Sequence, residues 1–265
     1  MPSVMTSPYE IDIEKMIRGK FPKAPRLVIR LVARMIHLDF LNGFFRKGYT
    51  GVEFCHETLK YLGIRIEVEG TIPEGGPCTF VSNHPLGGID GVALLSLIGA
   101  GGRDVKLLGN DFLTAIKGLA PMIVPISKVG MQSRNLKANI DQAFASDANM
   151  LVFPAGKVSR KTNGVIQDQK WTKTFLQKSI ETKRDIVPIH FIGQNSRRFY
   201  RIGRMEKFFR LRFPLGMLFL PDELYRAQGN SYRVVIGQPI SYKTIDSSRS
   251  INDWSQYIRQ TVYQL

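Results

Sequence analysis

Apolar and polar residues change places singly through "IRIEVEG" (64–70), the period of a strand with one covered face. Later segments are short and almost wholly apolar: "CTFVSN" (78–83), "VKLLGN" (105–110), "NMLVFPAG" (149–156) and "DIVPIHFIG" (185–193). Runs of that length, bounded by glycine, proline or asparagine, predict strands, that at 78–83 a buried one. "MIVPIS" (122–127) and "SYRVVIGQPI" (231–240) complete the strand set. Between them the apolar spacing lengthens, predicting helices over 10–18, 25–42, 51–62, 133–146, 172–183 and 251–263, and a short one over 112–118. "DGVALLSLIGAGG" (90–102) predicts a further helix with Asp90 as its N-cap and glycines at its end.

Strands that alternate with helices imply an α/β fold, a mostly parallel sheet with helices on its faces. The chain divides into an N-terminal helical segment (1–62) and an α/β domain (63–265), with no internal repeat, low-complexity tract or long linker. In such a sheet, residues just past the strand C-termini gather into one ligand crevice. His84 follows one predicted strand and "PAGKVSR" (154–160) follows another, so parallel strands bring the two to a common edge.

Charge narrows the partners. Thirty-seven Lys and Arg against 22 Asp and Glu give +15, which calls for an anionic partner: nucleic acid, anionic lipid or an acidic protein. Hydrophobic content of 43% excludes a disordered chain, and no apolar run reaches the roughly 18 residues of a spanning helix. The N-terminus lacks the basic start and apolar stretch of a secretory signal. Cys55 and Cys78 are too few for a disulfide framework and fit no metal spacing, and the four histidines are scattered. These features predict a cytoplasmic protein without a metal.

Charge and apolar residues coincide twice. In "PKAPRLVIRLVARMIHLDF" (22–40), Arg26, Arg30 and Arg34 form one helical stripe beside Leu27, Val28, Leu31 and Val32. That pattern fits a helix lying at a membrane interface, and equally an ordinary domain helix with one solvated face. The second place is residues 195–220. Between Asn195 and Phe213, seven basic residues and one acidic residue interleave with five aromatics. Such a segment tracks a nucleic-acid strand by stacking, sits against a bilayer, or forms a loop and core strand. The apolar run "FPLGMLFLP" (213–221) favours lipid, with Arg197, Arg198, Phe208 and Phe209 as membrane contacts; nucleic-acid binding through 195–213 is the alternative.

The chemistry centres on "SNHPLGGIDG" (82–91). Asp90 is placed to accept a hydrogen bond from Nδ1–H of His84, fixing the tautomer and leaving Nε2 to take a proton from an alcohol. Gly87 and Gly88 let the chain fold back and offer backbone N–H groups to an oxyanion. The bland reading has a structural histidine and a helix-capping aspartate. No G-x-S-x-G elbow occurs, so direct attack by a substrate hydroxyl fits better than a serine intermediate. Gly156, Lys157, Ser159 and Arg160 supply small residues and basic donors suited to a phosphate or carboxylate, at a spacing that is not a P-loop.

These residues resemble the PlsC-like glycerolipid acyltransferases. "SNHPLGGIDG" resembles their Asn-His…Asp block, "VFPAGKVSR" their Phe-Pro-Glu-Gly block and "IVPIH" (186–190) their late Val-Pro block. "VKLLGNDFLTAIKGLAPMIVPI" falls where their second acceptor-binding block lies. The likeness extends, through "IDIEKMIRGKFPKAP" and "NSRRFY", to a hemolysin-like bacterial branch that resembles lysophospholipid and aminolipid O-acyltransferases, including those of glycine- and ornithine-lipid synthesis.

The resemblance implies a peripheral enzyme on the inner face of the cytoplasmic membrane, entered by an N-terminal helical pair. It implies acyl transfer from a thioester of acyl carrier protein or CoA to the hydroxyl of a lyso-lipid, with no cofactor and no nucleic-acid partner. It makes His84 and Asp90 catalytic, and Asn83, Gly87, Gly88, Lys106, Gly156, Lys157, Ser159 and Arg160 substrate-binding. Two features depart from the family pattern. Five residues separate His84 from Asp90 where four are usual, and Ala155 and Lys157 replace the third block's glutamate and threonine. The second departure points away from a glycerol-phosphate acceptor and toward one whose carboxylate meets Lys157 or Arg160.

Overall fold

The computed structural model describes residues 7–126, 133–208 and 215–265, with the side chains at 20, 133–135, 206–208 and 215–218 outside the description. Helices α1 (Ile13–Lys20), α2 (Arg26–Met35), α3 (Leu38–Phe45) and α4 (Gly51–Tyr61) precede β1 (Arg65–Glu69), β2 (Thr79–Ser82), α5 (Ile89–Ile98), β3 (Val105–Gly109) and β4 (Ile123–Pro125). There follow α6 (Ser133–Ala145), β5 (Asn149–Val152), the hairpin β6 (Arg160–Thr162) and β7 (Val165–Gln167), and α7 (Thr174–Glu181). The chain closes with β8 (Ile186–Ile192), α8 (Arg197–Phe208), α9 (Leu215–Arg226), β9 (Ser231–Ile236) and α10 (Ile251–Gln264).

Among the described residues, seven strands form one sheet in the order β1-β9-β8-β2-β5-β3-β4. Every neighbouring pair is parallel except β8 and β9. This is the predicted α/β architecture. β2 lies at its centre with all four residues buried, as an apolar strand covered on both faces must be. Phe80 and Val81 point to opposite sides, 1% and 0% exposed. Phe80 joins a core with Phe44, Phe54, Leu94 and Phe191; Val81 joins another with Phe144, Phe175, Leu176 and Ile258. Helices α3, α4 and α5 therefore cover one face, and α6, α7 and α10 the other. The predicted boundary at residue 62 runs through the first core, with Phe44, Phe54 and Leu62 on one side and Phe80 and Leu94 on the other.

The structure differs from the sequence expectations in places with identifiable causes. The single helix predicted over 25–42 is two, because His37 adopts a left-handed conformation (φ 52°) between α2 and α3. Its ring stacks on Tyr225 at 3.8 Å, and its Nε2 lies 2.8 Å from Asp222 Oδ1, fastening the break to α9. The segment 195–220 holds two helices rather than a loop and strand. The hairpin β6–β7 was not predicted; its strands are three residues each, too short for a periodicity to register.

Candidate active site

β2 and β5 pair in parallel and end at the same edge of the sheet. The exit of β2 delivers Asn83 and His84, and the exit of β5 delivers Phe153 to Arg160. The backbones of the two loops meet directly, Ser159 N–H donating to the His84 carbonyl at 2.7 Å.

The Nδ1 of His84 lies 3.1 Å from Oδ2 of Asp90. That same oxygen accepts the N–H groups of Leu86 (2.9 Å) and Gly87 (3.2 Å), and Oδ1 accepts that of Gly91 (2.9 Å). Asp90 is fully buried, and a buried carboxylate is tolerated only when its lone pairs are matched in this way. It is not the N-cap of α5, as the sequence suggested. Gly88 holds that place, and Asp90 sits in the first helical turn with its carboxylate folded back onto the loop. Gly87 makes the turn possible: its φ of 89° suits glycine, and a Cβ there would stand 2.8 Å from a Leu220 methyl.

Burial alone raises the Asp90 pKa, but the His84 charge and hydrogen bond and the Leu86 and Gly87 N–H groups outweigh it, so the carboxyl is held below the usual range. Burial alone lowers the His84 pKa; the charge and hydrogen bond of Asp90, with the charge of Asp168, outweigh it and raise it above 6.5, against a smaller opposing effect of Arg160. An ionised Asp90 only accepts, so the neutral imidazole carries its proton on Nδ1. Nε2 has no hydrogen-bond partner among the described residues, and the side chain keeps 17% of its surface exposed. The ring is steadied by stacking on Phe153, centroids 4.1 Å apart.

A residue outside every motif completes the framework. Asp168, just past β7 and buried, accepts the His84 backbone N–H (3.1 Å), the Ser159 hydroxyl (2.5 Å) and the Trp171 indole N–H (2.9 Å). Its own N–H donates to the Tyr263 hydroxyl at 2.7 Å. No spacing or composition signal marked it, because its partners come from four separate stretches of chain.

Several residues expected to bind substrate are engaged elsewhere. Asn83 is 3% exposed and clips β2 to β8, its Oδ1 accepting Phe191 N–H (2.7 Å) and its Nδ2 donating to the Phe191 carbonyl (2.9 Å). Ser159 is 1% exposed with its hydroxyl spent on Asp168. Lys106 lies level with Thr79, near the opposite end of the sheet from His84, and donates to the Pro121 carbonyl at 3.1 Å. The Gly87 N–H is taken by Asp90 and so is not an oxyanion donor, whereas Gly88 N–H has no partner among the described residues. Gly156 turns with φ 64° in open space and Lys157 is exposed beside it. Arg160, in β6, donates to the Val158 carbonyl (2.9 Å) and lies over the Phe199 ring.

The segments considered for a membrane or nucleic acid also separate. Arg26, Arg30 and Arg34 are exposed on α2, and so are Leu27, Val28 and Leu31, at 69%, 46% and 56%. In the second segment Phe199 and Tyr200 are buried with Val158, so they are unavailable for stacking on bases or for a bilayer. Arg198 pairs with Asp222 (3.4 Å) and lies over Phe219. Arg197 is exposed, while the side chains of Phe208 and Phe209 lie outside the described residues.

A family model described as "Acyltransferase" matches residues 17–265. A lyso-glycine lipid O-acyltransferase of Phocaeicola vulgatus is 41% identical over 264 residues, covering 96% of this chain and 95% of that protein. One from Bacteroides thetaiotaomicron is 41% identical over 265 residues, covering 96% and 97%. The crystal structure of the 1-acyl-sn-glycerophosphate acyltransferase PlsC from Thermotoga maritima aligns with a TM-score of 0.49 at 14% identity, covering 95% of this chain and 87% of that one.

Proposed function

The chain belongs to the acyltransferase family, and from that premise we propose that it transfers a fatty acyl chain from a thioester, of acyl carrier protein or CoA, to the hydroxyl of a lyso-lipid. The names of the relatives at 41% identity support a lyso-glycine lipid as the acceptor.

The observation that carries the mechanism is the His84–Asp90 contact of 3.1 Å at the sheet edge, with Nε2 unpaired among the described residues. His84 Nε2 takes the proton of the acceptor hydroxyl as its oxygen attacks the thioester carbonyl. Asp90 orients the ring and stabilises the imidazolium that forms. When the carbonyl re-forms, the C–S bond breaks and the imidazolium returns its proton to the thiolate, giving an ester and a free thiol. The Gly88 N–H at the start of α5, without a partner among the described residues, is a candidate donor to the transient oxyanion.

The membrane supplies the acceptor, and α2 supports peripheral binding to it. Leu27, Val28 and Leu31 are exposed apolar residues on a helix that also presents Arg26, Arg30 and Arg34. Basic residues near an anionic leaflet contribute about 1 kcal/mol each. Among the described residues no helix is long and apolar enough to cross a membrane. Cytoplasmic thioester donors put the enzyme on the inner face.

The test is acyl transfer by the purified full chain from acyl carrier protein and CoA thioesters to a lyso-glycine lipid, with His84→Ala alongside. The variant is expected to lose roughly two to four orders of magnitude in rate. A folded His84→Ala protein with undiminished rate refutes the mechanism.

A further inference from the structure

A cavity of about 610 Å³ lies beside the loop that carries His84 and Asp90, with Leu86 and Ile89 in its wall. Arg197, Arg201 and Arg204, at i, i+4 and i+7 of α8, line the same space. None of the three has a hydrogen bond or ion pair among the described residues. Their neighbours differ: Arg198 and Arg226 are both paired with Asp222. Glu223 also lines the cavity, but its oxygens are taken by the Ser196 N–H (2.7 Å) and hydroxyl (2.6 Å). Among the described residues it forms no ion pair with the three guanidinium groups.

Three exposed guanidinium groups, unpaired among the described residues and lining one cavity, repel one another weakly through solvent until an anion joins them. Their planar forks suit a carboxylate, which accepts two parallel N–H bonds from one arginine. Asn195 and Asn230 add amide groups to the lining. Asn195 Nδ2 also donates to the Pro85 carbonyl at 3.0 Å, tying this wall to the residue after His84. An anionic group held here is anchored next to the loop bearing the proposed base.

We infer that the arginine-lined cavity between α8 and the His84–Asp90 loop binds the free carboxylate of the acceptor's headgroup. The inference rests on the lyso-glycine-lipid reading and deepens it. Glycine joined to a lipid through its nitrogen keeps a carboxylate, whereas glycine joined through its carboxyl keeps an amine. Cationic groups alone, Lys161 of β6 with the three arginines, stand free in the lining among the described residues, and that set selects the first. It also moves carboxylate recognition from Lys157 and Arg160, where the sequence pointed, to α8.

The test uses the full chain with N-octanoylglycine, its neutral amide N-octanoylglycinamide, and octyl phosphate, each titrated by calorimetry. Wild type, Arg201→Gln/Arg204→Gln and Arg201→Lys/Arg204→Lys are compared. Wild type is expected to bind the acid about tenfold or more tightly than the amide. The glutamine pair should shrink that gap to about twofold, and the lysine pair should restore part of it. In turnover the glutamine pair should raise KM for the carboxylate acceptor about tenfold with kcat little changed.

Equal binding of acid and amide by wild type overturns the inference, as does an undiminished gap in the glutamine pair. Tighter binding of octyl phosphate than of the acid overturns it in favour of a phosphate site. Loss of binding to anionic vesicles by the glutamine pair, with the gap unchanged, overturns it in favour of a membrane contact. Because the titration needs no turnover, failure of acyl transfer with every lyso-lipid would strike the proposed reaction and leave the carboxylate result to be read by itself.

Discussion

Asp168 and His84 are 84 positions apart, yet Asp168 Oδ1 holds the His84 backbone N–H at 3.1 Å. The same carboxylate takes the Ser159 hydroxyl and the Trp171 indole, so one buried side chain fixes the β2 exit, the β5 exit loop and the segment before α7. The position of His84 thus has two independent supports, Asp90 on the ring and Asp168 on the backbone.

Asp168→Ala leaves three buried donors without an acceptor, each costing about 1–3 kcal/mol. The expected outcome is a loss of stability on the order of 3 kcal/mol in urea unfolding. Asp168→Asn keeps an acceptor oxygen and should lose less. With the Asn variant still folded, kcat should fall by about tenfold, since the imidazole is displaced but retained. An Asp168→Asn protein with full activity and unchanged unfolding midpoint contradicts the positioning role.

The His84–Asp90 pair makes a pH prediction with a definite sign. A general base must be neutral, and His84 is held above 6.5, so kcat/KM should rise with pH through a limb centred above that value. Asp90→Asn removes the raising charge. Its limb should move to lower pH while the rate falls about a hundredfold or more. For stability, the raised His84 contribution is complete below its unfolded value and lost as pH rises through the folded one. The depressed Asp90 contribution is complete above 3.8 and lost as pH falls through its folded value. Wild type should therefore be most favoured over Asp90→Asn between the two unfolded values, 3.8 and 6.5, measured by unfolding at a series of pH values.

The sheet and the His84–Asp90 contact were legible because each rests on local pattern. Short apolar runs such as "TFVS" fix a doubly buried strand, and a parallel β2–β5 pair then forces the two exit loops together. Asp168 was not legible: its acceptor role exists only once the hairpin β6–β7 and α10 are folded around it. Asn83 and Ser159 were misread for a related reason. A polar residue beside a candidate histidine is the same letter whether it faces substrate or ties strands together, and only its burial decides. The α8 arginines read as membrane or nucleic-acid contacts because the sequence does not show that Arg198 will pair with Asp222 while Arg197, Arg201 and Arg204 line a cavity.

Gly87→Ala tests the turn that aims Asp90. The residue sits at φ 89°, and its new methyl would meet Leu220 at 2.8 Å and Val158 at 3.1 Å. Strain of about 1–3 kcal/mol is expected. The Gly87 N–H must shift with the backbone and loosens its bond to Asp90, so activity should drop further than the melting temperature alone accounts for. Gly156→Ala is the comparison: its φ of 64° is similarly strained, but its Cβ meets nothing. A purely conformational effect would make the two variants equal in activity loss; a special role for the Asp90 turn makes Gly87→Ala much the worse.

The last prediction separates folding from membrane docking on α2. Leu27 and Leu31 are 69% and 56% exposed, so Leu27→Ser/Leu31→Ser removes far less buried surface than a core substitution and should cost about 1 kcal/mol of unfolding stability or less. If the face enters a bilayer, the same pair should weaken sedimentation with anionic vesicles, since burying a leucine is worth about 1.5–3 kcal/mol. Arg30→Glu/Arg34→Glu should weaken binding too, but through charge, so its deficit should shrink as salt screens the surface. The leucine deficit should persist at high salt. Turnover of a lyso-lipid presented in vesicles should follow binding in both variants, while turnover of a short-chain, water-soluble acceptor should stay at the wild-type rate. Equal losses on both acceptors would mean that α2 shapes the active site instead of bringing it to the membrane.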